Sequence, residues 1–261
     1  MVECHMSSHY ETIRIRHQGP VTYIQLYRPD ADNSINGRMI MECSEALMDC
    51  NNHARVIVLE GLPDVFCSGA DFKHVSSYDA AGSEALDVAA PLYALWEQLA
   101  NGPYVTIAHV KGKVNAGGVG FAAACDMVIA EDSAQFSLSE MLFGLFPACV
   151  LPFLIRRIGY QRSHYLTLST QAISGRQAYE WGLVDAVGPD SELLLRKHLP
   201  RLTRISRESI VYYKLYMSKL RDDISAAKPE AIRANQTMFA DPSNRERISR
   251  YAATGLFPWE A

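Results

Sequence analysis

At 261 residues, 48% hydrophobic and 21% charged, the chain is long enough for one large α/β domain and has an ordinary globular balance. A formal net charge of −4, with the basic residues scattered, excludes the footprint of a nucleic-acid-binding protein. It carries neither an apolar run of about 18 residues nor a signal-peptide core, so no membrane contact and a cytoplasmic location are expected. The six cysteines (Cys4, Cys43, Cys50, Cys67, Cys125, Cys149) form no CxxC pair and several sit in apolar runs. They read as reduced, mostly buried thiols, with neither a disulfide frame nor a metal site.

In chain order, alternation over 11–17 and again over 21–27, punctuated by Gln18-Gly19-Pro20, predicts a β-hairpin. Asn33 or Ser34 is expected to cap a helix running to about Cys50. RVIVLE (55–60) is a continuous apolar strand, covered on both faces. Ser68-Gly69-Ala70-Asp71 then breaks the chain, and helical spacing returns over 83–101. A second apolar strand (105–110) leads through Asn115-Ala116-Gly117-Gly118 into a small-residue segment, read as strand, tight turn, helix. Ser174 caps a helix ending at Gly182, and from residue 192 onward the chain is all helical, with breaks at Pro229 and Pro242. Alternation of strand and helix up to about residue 190 predicts a mostly parallel sheet with right-handed crossovers. The expected division is a core over 1–190 and a helical C-terminal region over 191–261.

Two glycine breaks at strand ends can converge in the crevice where open α/β sheets bind ligands. Gly117 and Gly118 allow the backbone to approach a ligand closely, and the free N–H groups at the start of the following helix favour negative charge. The amides of Ala70 and Gly117 are then placed to share one carbonyl oxygen as an oxyanion hole.

FCSGADF (66–72), the strand–AGG–helix stretch ending at Cys125-Asp126, AQFSLSE (134–140) and ISGRQAYEWGLVD (173–185) resemble the crotonase (enoyl-CoA hydratase/isomerase) family over essentially the whole chain. The resemblance implies an α/β fold with a core of ββα repeats and a helical C-terminal trimerisation region. It also implies a homotrimer or hexamer, and a thioester substrate whose enolate is held by two backbone amides, here Ala70 and Gly117. Hydratases of the family carry two glutamates; one position is occupied here by Gly120, the other by Glu140. A single acid/base, Glu140, remains, and an apolar pocket is expected to raise its proton affinity.

Longer segments, including residues 51–72, 102–121, 137–159 and the ending GLFPWE, resemble the enoyl-CoA hydratase-like dehydratases of polyketide β-branching cassettes. That resemblance implies dehydration of a 3-hydroxy-3-methylglutaryl thioester to the 3-methylglutaconyl thioester. Carriage is expected on the phosphopantetheine of an acyl carrier protein, or on coenzyme A, with no other cofactor. The distal carboxylate of such a substrate needs a cation or several hydrogen bonds. Lys73, His74 and Tyr78 are the candidates, with a solvated loop as their other reading. Asp71, beside a donor, is a candidate for substrate contact or a second acid, with turn capping as its other reading. Asn115 is a candidate contact, although Asn in a turn usually serves the backbone. An ordinary coenzyme A hydratase wants both glutamates; an isomerase needs one; the decarboxylase of the same cassettes and an inert or RNA-binding member of the fold complete the alternatives.

Overall fold

The structure is a computed structural model and describes residues 10–51, 53–72, 88–220 and 223–260. Two sheets share the chain. The larger runs β1 (Ile13–Gln18), β2 (Val21–Leu26), β3 (Val56–Glu60), β5 (Val105–Val110), β7 (Met127–Glu131), β10 (Ala186–Gly188) in spatial order. The smaller runs β4 (Val65–Cys67), β6 (Lys113–Asn115), β8 (Gln135–Ser137), β9 (Ile173–Ser174). Apart from the antiparallel β1–β2 hairpin, the large sheet is parallel. Each repeat gives one strand to each sheet and then a helix: β3 and β4 precede α2 (Ala89–Asn101), β5 and β6 precede α3 (Gly117–Ala124), β7 and β8 precede α4 (Leu151–Ser169). This is the ββα core of the crotonase fold.

The side-chain period of two decides what covers the large sheet. Ile24, Leu26, Ile57, Leu59, Ala108 and Val110 point into the main core with α1 (Gly37–Cys50), α2 and α3. Val21, Tyr23, Val56, Val58, Val105 and Ile107 point the other way, against Leu195 and Leu202 of α6 (Ser191–Leu202) and Ile210 of α7 (Arg207–Leu220). All six residues of β5 are buried for this reason. The expected division near residue 190 falls between β10 and α6, and α6 closes the second face of the sheet.

Local signals place most element ends. Ser174 Oγ accepts from the Gln177 amide at the start of α5 (Gly175–Trp181), and Gly182 closes that helix at φ 84°. Gly159, at φ 76° and ψ 167°, interrupts α4 where the sequence has its glycine. Two expectations shift. Asn36, not Asn33 or Ser34, caps α1; Asn33 is instead buried at φ 52°, its amide bonded to Leu26 O and Phe66 O. Pro229 lies inside α8 (Asp223–Ala240) rather than at its start, while α9 (Pro242–Thr254) begins at Pro242 as expected. Burial of Ile224, Ala231 and Met238 along one side of α8 holds the helix through the proline, whose cost in isolation is roughly 3 kcal/mol.

The C-terminal segment is built into the molecule's aromatic wall. Phe143 meets Tyr251 at 5.0 Å and Phe257 at 5.9 Å between ring centroids, with Phe72 against Phe143 at 5.2 Å. By contrast, α7 buries only Ile210 and exposes Val211, Tyr212, Tyr213, Leu215, Tyr216, Met217 and Leu220. Cys43, Cys50, Cys67, Cys125 and Cys149 are free and buried. Among the described residues no helix is long and apolar enough to cross a membrane.

Candidate active site

The parallel β4–β6–β8 ladder brings the two glycine turns together. Cys67 pairs with Val114, and Asn115 with Ser137, so the chain leaves β4 and β6 at neighbouring points. Beyond β4, Ile35 bridges Ala70: the Ile35 amide donates to Gly69 O at 2.7 Å and the Asp71 amide to Ile35 O at 3.0 Å. Alternate peptide groups of an extended segment face opposite edges, so the Ala70 amide faces away from Ile35. Gly117 opens α3, where a helix's first N–H groups lack intrahelical acceptors. Among the described residues neither the Ala70 nor the Gly117 amide has a hydrogen-bond acceptor.

The turns touch. A Cβ placed on Gly69 (φ 97°) falls 2.7 Å from the Ala116 Cβ and 3.6 Å from the Gly117 nitrogen. Ala116 itself sits at φ 50°, ψ −120°, a conformation costing roughly 1–3 kcal/mol that the surroundings must impose. Asn115 supplies part of that constraint. Its Nδ2 donates to Ser68 O (3.3 Å) and to Ser139 Oγ (2.9 Å), and its Oδ1 accepts from Ser137 Oγ (2.9 Å). One side chain thus pins the first turn, the second turn and the residue before Glu140. Gly69→Ala is expected to force the turns apart, lowering kcat about 10²-fold and the unfolding free energy by about 1–3 kcal/mol. Steady-state turnover and thermal denaturation of the purified variant check both figures.

Glu140 begins a short 3-10 turn (Glu140–Phe143) ended by Gly144 at φ 81°. Its Oε2 is shut off from solvent and has no hydrogen-bond partner among the described residues. Burial pushes the carboxyl up to about 7, against a smaller downward pull from the backbone amides of Glu140 and Ser139. A carboxyl of that proton affinity exchanges protons readily near neutrality. A cavity of about 1110 Å³ is lined by Ala70, Gly117 and Glu140 together, with Phe143, Tyr251 and Phe257 on the aromatic side.

The other expected contacts divide. Asn115 lines the cavity, but its amide is occupied by protein partners, so it positions the turns. Asp71 also lines the cavity and is ion-paired with Arg28 at 2.9 Å, both side chains largely buried. Gly118 is a correction: it is buried, it is not part of the cavity wall, and a Cβ there meets Cys67 O at 2.5 Å. Its missing side chain lets α3 press on β4. Lys73, His74 and Tyr78 lie outside the described residues.

Two cavity residues escaped the sequence reading. Arg28 sits in a loop with no motif, its guanidinium bonded to Asp71 and to Ser34. Trp96 belongs to the apolar spacing of α2 and looks like any core residue from sequence. A Cβ on Gly120 falls 2.4 Å from Trp96 Cη2 and 2.5 Å from Cζ2, so the indole occupies the space into which a side chain at 120 would grow. Elsewhere, Glu60, His109 and Glu192 gather their ligand atoms within 4.8 Å, outside the cavity. They are already knitted together: His109 bonds Glu60 and Ser191, and Glu192 bonds Lys111.

The family profile for enoyl-CoA hydratase/isomerase matches residues 16–261. The chain belongs to the enoyl-CoA hydratase/isomerase family. It is 54% identical over 252 residues to the bacillaene synthase dehydratase PksH of Bacillus subtilis, covering 96% of this chain and 97% of that one. A crystal structure titled as a polyketide biosynthesis enoyl-CoA hydratase (pksH) from Bacillus subtilis superposes with a TM-score of 0.90 at 53% identity, covering 95% of this chain and all (100%) of the other. A Rhizobium meliloti protein described as an enoyl-CoA hydratase is 29% identical over 252 residues, 94% of this chain and 96% of its own. In this member of the family the glycine at 120 is backed by an indole, so a glycine there is demanded by the packing of the core.

Proposed function

We propose that this protein dehydrates a 3-hydroxy-3-methylglutaryl thioester to the 3-methylglutaconyl thioester during polyketide β-branching, with the acyl chain on the phosphopantetheine of an acyl carrier protein. The observation that carries the reading is the meeting, in one cavity, of two unbonded amides and one carboxyl with a solvent-shielded oxygen. The high identity to a polyketide dehydratase supports the substrate class. The thioester oxygen lies between the Ala70 and Gly117 amides. Glu140, ionised, takes the proton from carbon 2, and the electron pair moves onto the thioester oxygen, where the two amides stabilise it. Glu140 then returns the proton to the hydroxyl on carbon 3. That C–O bond breaks, water leaves, and the enolate pair forms the double bond. One carboxyl serves both steps on one face, since position 120 offers none.

Asn115 and Asp71 act in this scheme by holding the turns, and Lys73, His74 and Tyr78 are proposed for the distal carboxylate. Among the described residues Arg28 is the one basic side chain on the cavity wall, and Asp71 and Ser34 already engage it. The exposed apolar face of α7 is proposed to be covered in a homotrimer or hexamer, which sedimentation equilibrium reads directly.

Purified enzyme with 3-hydroxy-3-methylglutaryl chains on acyl carrier protein is expected to give loss of one water by mass spectrometry. The coenzyme A thioester is expected to turn over at least about tenfold less efficiently, because interactions with the carrier add transition-state binding. No water loss from the carrier-bound chain, with turnover of simple acyl-CoA thioesters, would overturn the assignment.

A further inference from the structure

Trp96 holds a buried hydrogen-bond donor that the reaction described above does not use. The residue is 1% exposed, it lines the cavity, and its Nε1–H has no acceptor among the described residues. An orphan N–H of this kind keeps an unrecovered desolvation cost, which an incoming acceptor relieves. The ring is rigidly set: it meets Phe121 edge-on at 5.9 Å and Phe153 at 5.7 Å.

The ring's position relative to α3 says which substrate atom it can meet. Gly117 and Gly120 are three residues apart on α3 and so share a face. The far edge of the indole abuts Gly120, within 2.9 Å of a Cβ placed there. The ring atom nearest the Cβ position of Gly117 is Cζ2, next to the carbon that bears Nε1, at 3.9 Å. The nitrogen-bearing side of the ring is therefore the side nearer the oxyanion amide. In the proposed substrate the thioester oxygen is already held by two amides. The oxygen on carbon 3 stands two carbons away and is neutral, which suits an uncharged donor; the distal carboxylate is farther along the chain and calls for charge.

We infer that the Nε1–H of Trp96 is a substrate-binding donor to the hydroxyl on carbon 3, the group that leaves as water. This deepens the proposed function and rests on it for the identity of the substrate. Indole donates a hydrogen bond but is neither acid nor base near neutral pH, so Glu140 stays the sole proton carrier. The indole takes the space at position 120 and orients the oxygen that Glu140 protonates. It also makes the site selective for chains bearing that hydroxyl, since a donor left bare on binding a chain without it gives strong discrimination.

The test removes the N–H and keeps the ring. Trp96→Phe, and replacement of Trp96 by benzothienylalanine, which puts sulfur where the N–H stood, are compared in a Glu140→Gln background that arrests turnover. Dissociation constants are measured for the 3-hydroxy-3-methylglutaryl thioester and for its dehydrated product, which lacks the hydroxyl. The expected result is about a tenfold or greater loss for the hydroxy thioester and less than about a twofold change for the product. Equal losses for both ligands, or none, would overturn the inference. Should Trp96→Phe fold poorly by thermal denaturation, the benzothienyl protein decides. The same pair of measurements with a simple 3-hydroxyacyl-CoA and its enoyl-CoA separates the two ideas. Hydroxyl-selective loss there, without binding of the methylglutaryl chain, sinks the substrate and keeps the donor. Binding of the methylglutaryl chain without selective loss sinks the donor and keeps the substrate.

Discussion

Glu140→Gln is expected to lower kcat for dehydration by about 10²–10⁴-fold while leaving thioester binding nearly intact. The amide keeps the volume and cannot carry a proton, and the two backbone amides proposed to hold the thioester oxygen are unaffected. The pH dependence gives a sharper reading. In the proposed reaction Glu140 enters as the carboxylate, gives back the proton it takes and ends as the carboxylate, so kcat/KM should rise with pH through about 7 and then level off. Two carboxyls in opposite protonation states would give a bell instead. Stability runs the other way. The folded carboxyl titrates near 7, above its ordinary 4.5, because burial disfavours the charge. The folded state therefore binds the proton more tightly than the unfolded state, and stability falls as pH rises from about 4.5 to about 7. The integrated effect is at most about 3 kcal/mol, and Glu140→Gln should remove that slope. Chemical denaturation of both proteins at pH 5 and pH 8 checks it; an unchanged slope would show that Oε2 is not the shielded atom described here.

Installing the missing carboxyl, Gly120→Glu, is expected to fail. The first added atom would already lie 2.4–2.9 Å from three atoms of the Trp96 ring, which is wedged against Phe121 and Phe153. Overpacking of this kind costs about 1–3 kcal/mol, and burying the added charge costs more. The variant should lose stability by at least about 3 kcal/mol and gain no hydratase activity. Trp96→Ala combined with Gly120→Glu should recover part of the lost stability, because the cavity left by the indole admits the longer side chain. Such neighbours are strongly non-additive, so a double-mutant cycle by denaturant titration measures the coupling. Additive losses would mean that the two positions do not compete for the same space.

Much of the frame around the cavity was legible because it is written locally. Glycine at 69 and 117, strand runs before each, and a serine cap with a glycine stop around α5 are short-range demands of backbone geometry. The family resemblance then assigned the donors and Glu140 to positions that the fold brings to one cavity. Gly118 was read as part of the ligand cradle for the same local reason, and the structure gives it to the contact between α3 and Cys67. From sequence, a glycine needed for a ligand and a glycine needed for a strand look alike.

The chain's own order of residues determined the repeat of two strands and a helix, the two amide-bearing turns, and a glycine at 120 with an acid at 140. These follow from side-chain period, glycine conformations and residue identity, all of which act within a few positions. Only the tertiary structure decided that Trp96 fills the space beside Gly120, that Arg28 engages Asp71, and that Asn115 ties Ser68 to Ser139. Those partners lie from 24 to 47 residues apart. Their contact is set by how α2 packs on α3 and how the β4–β6–β8 ladder registers, and no local pattern records either.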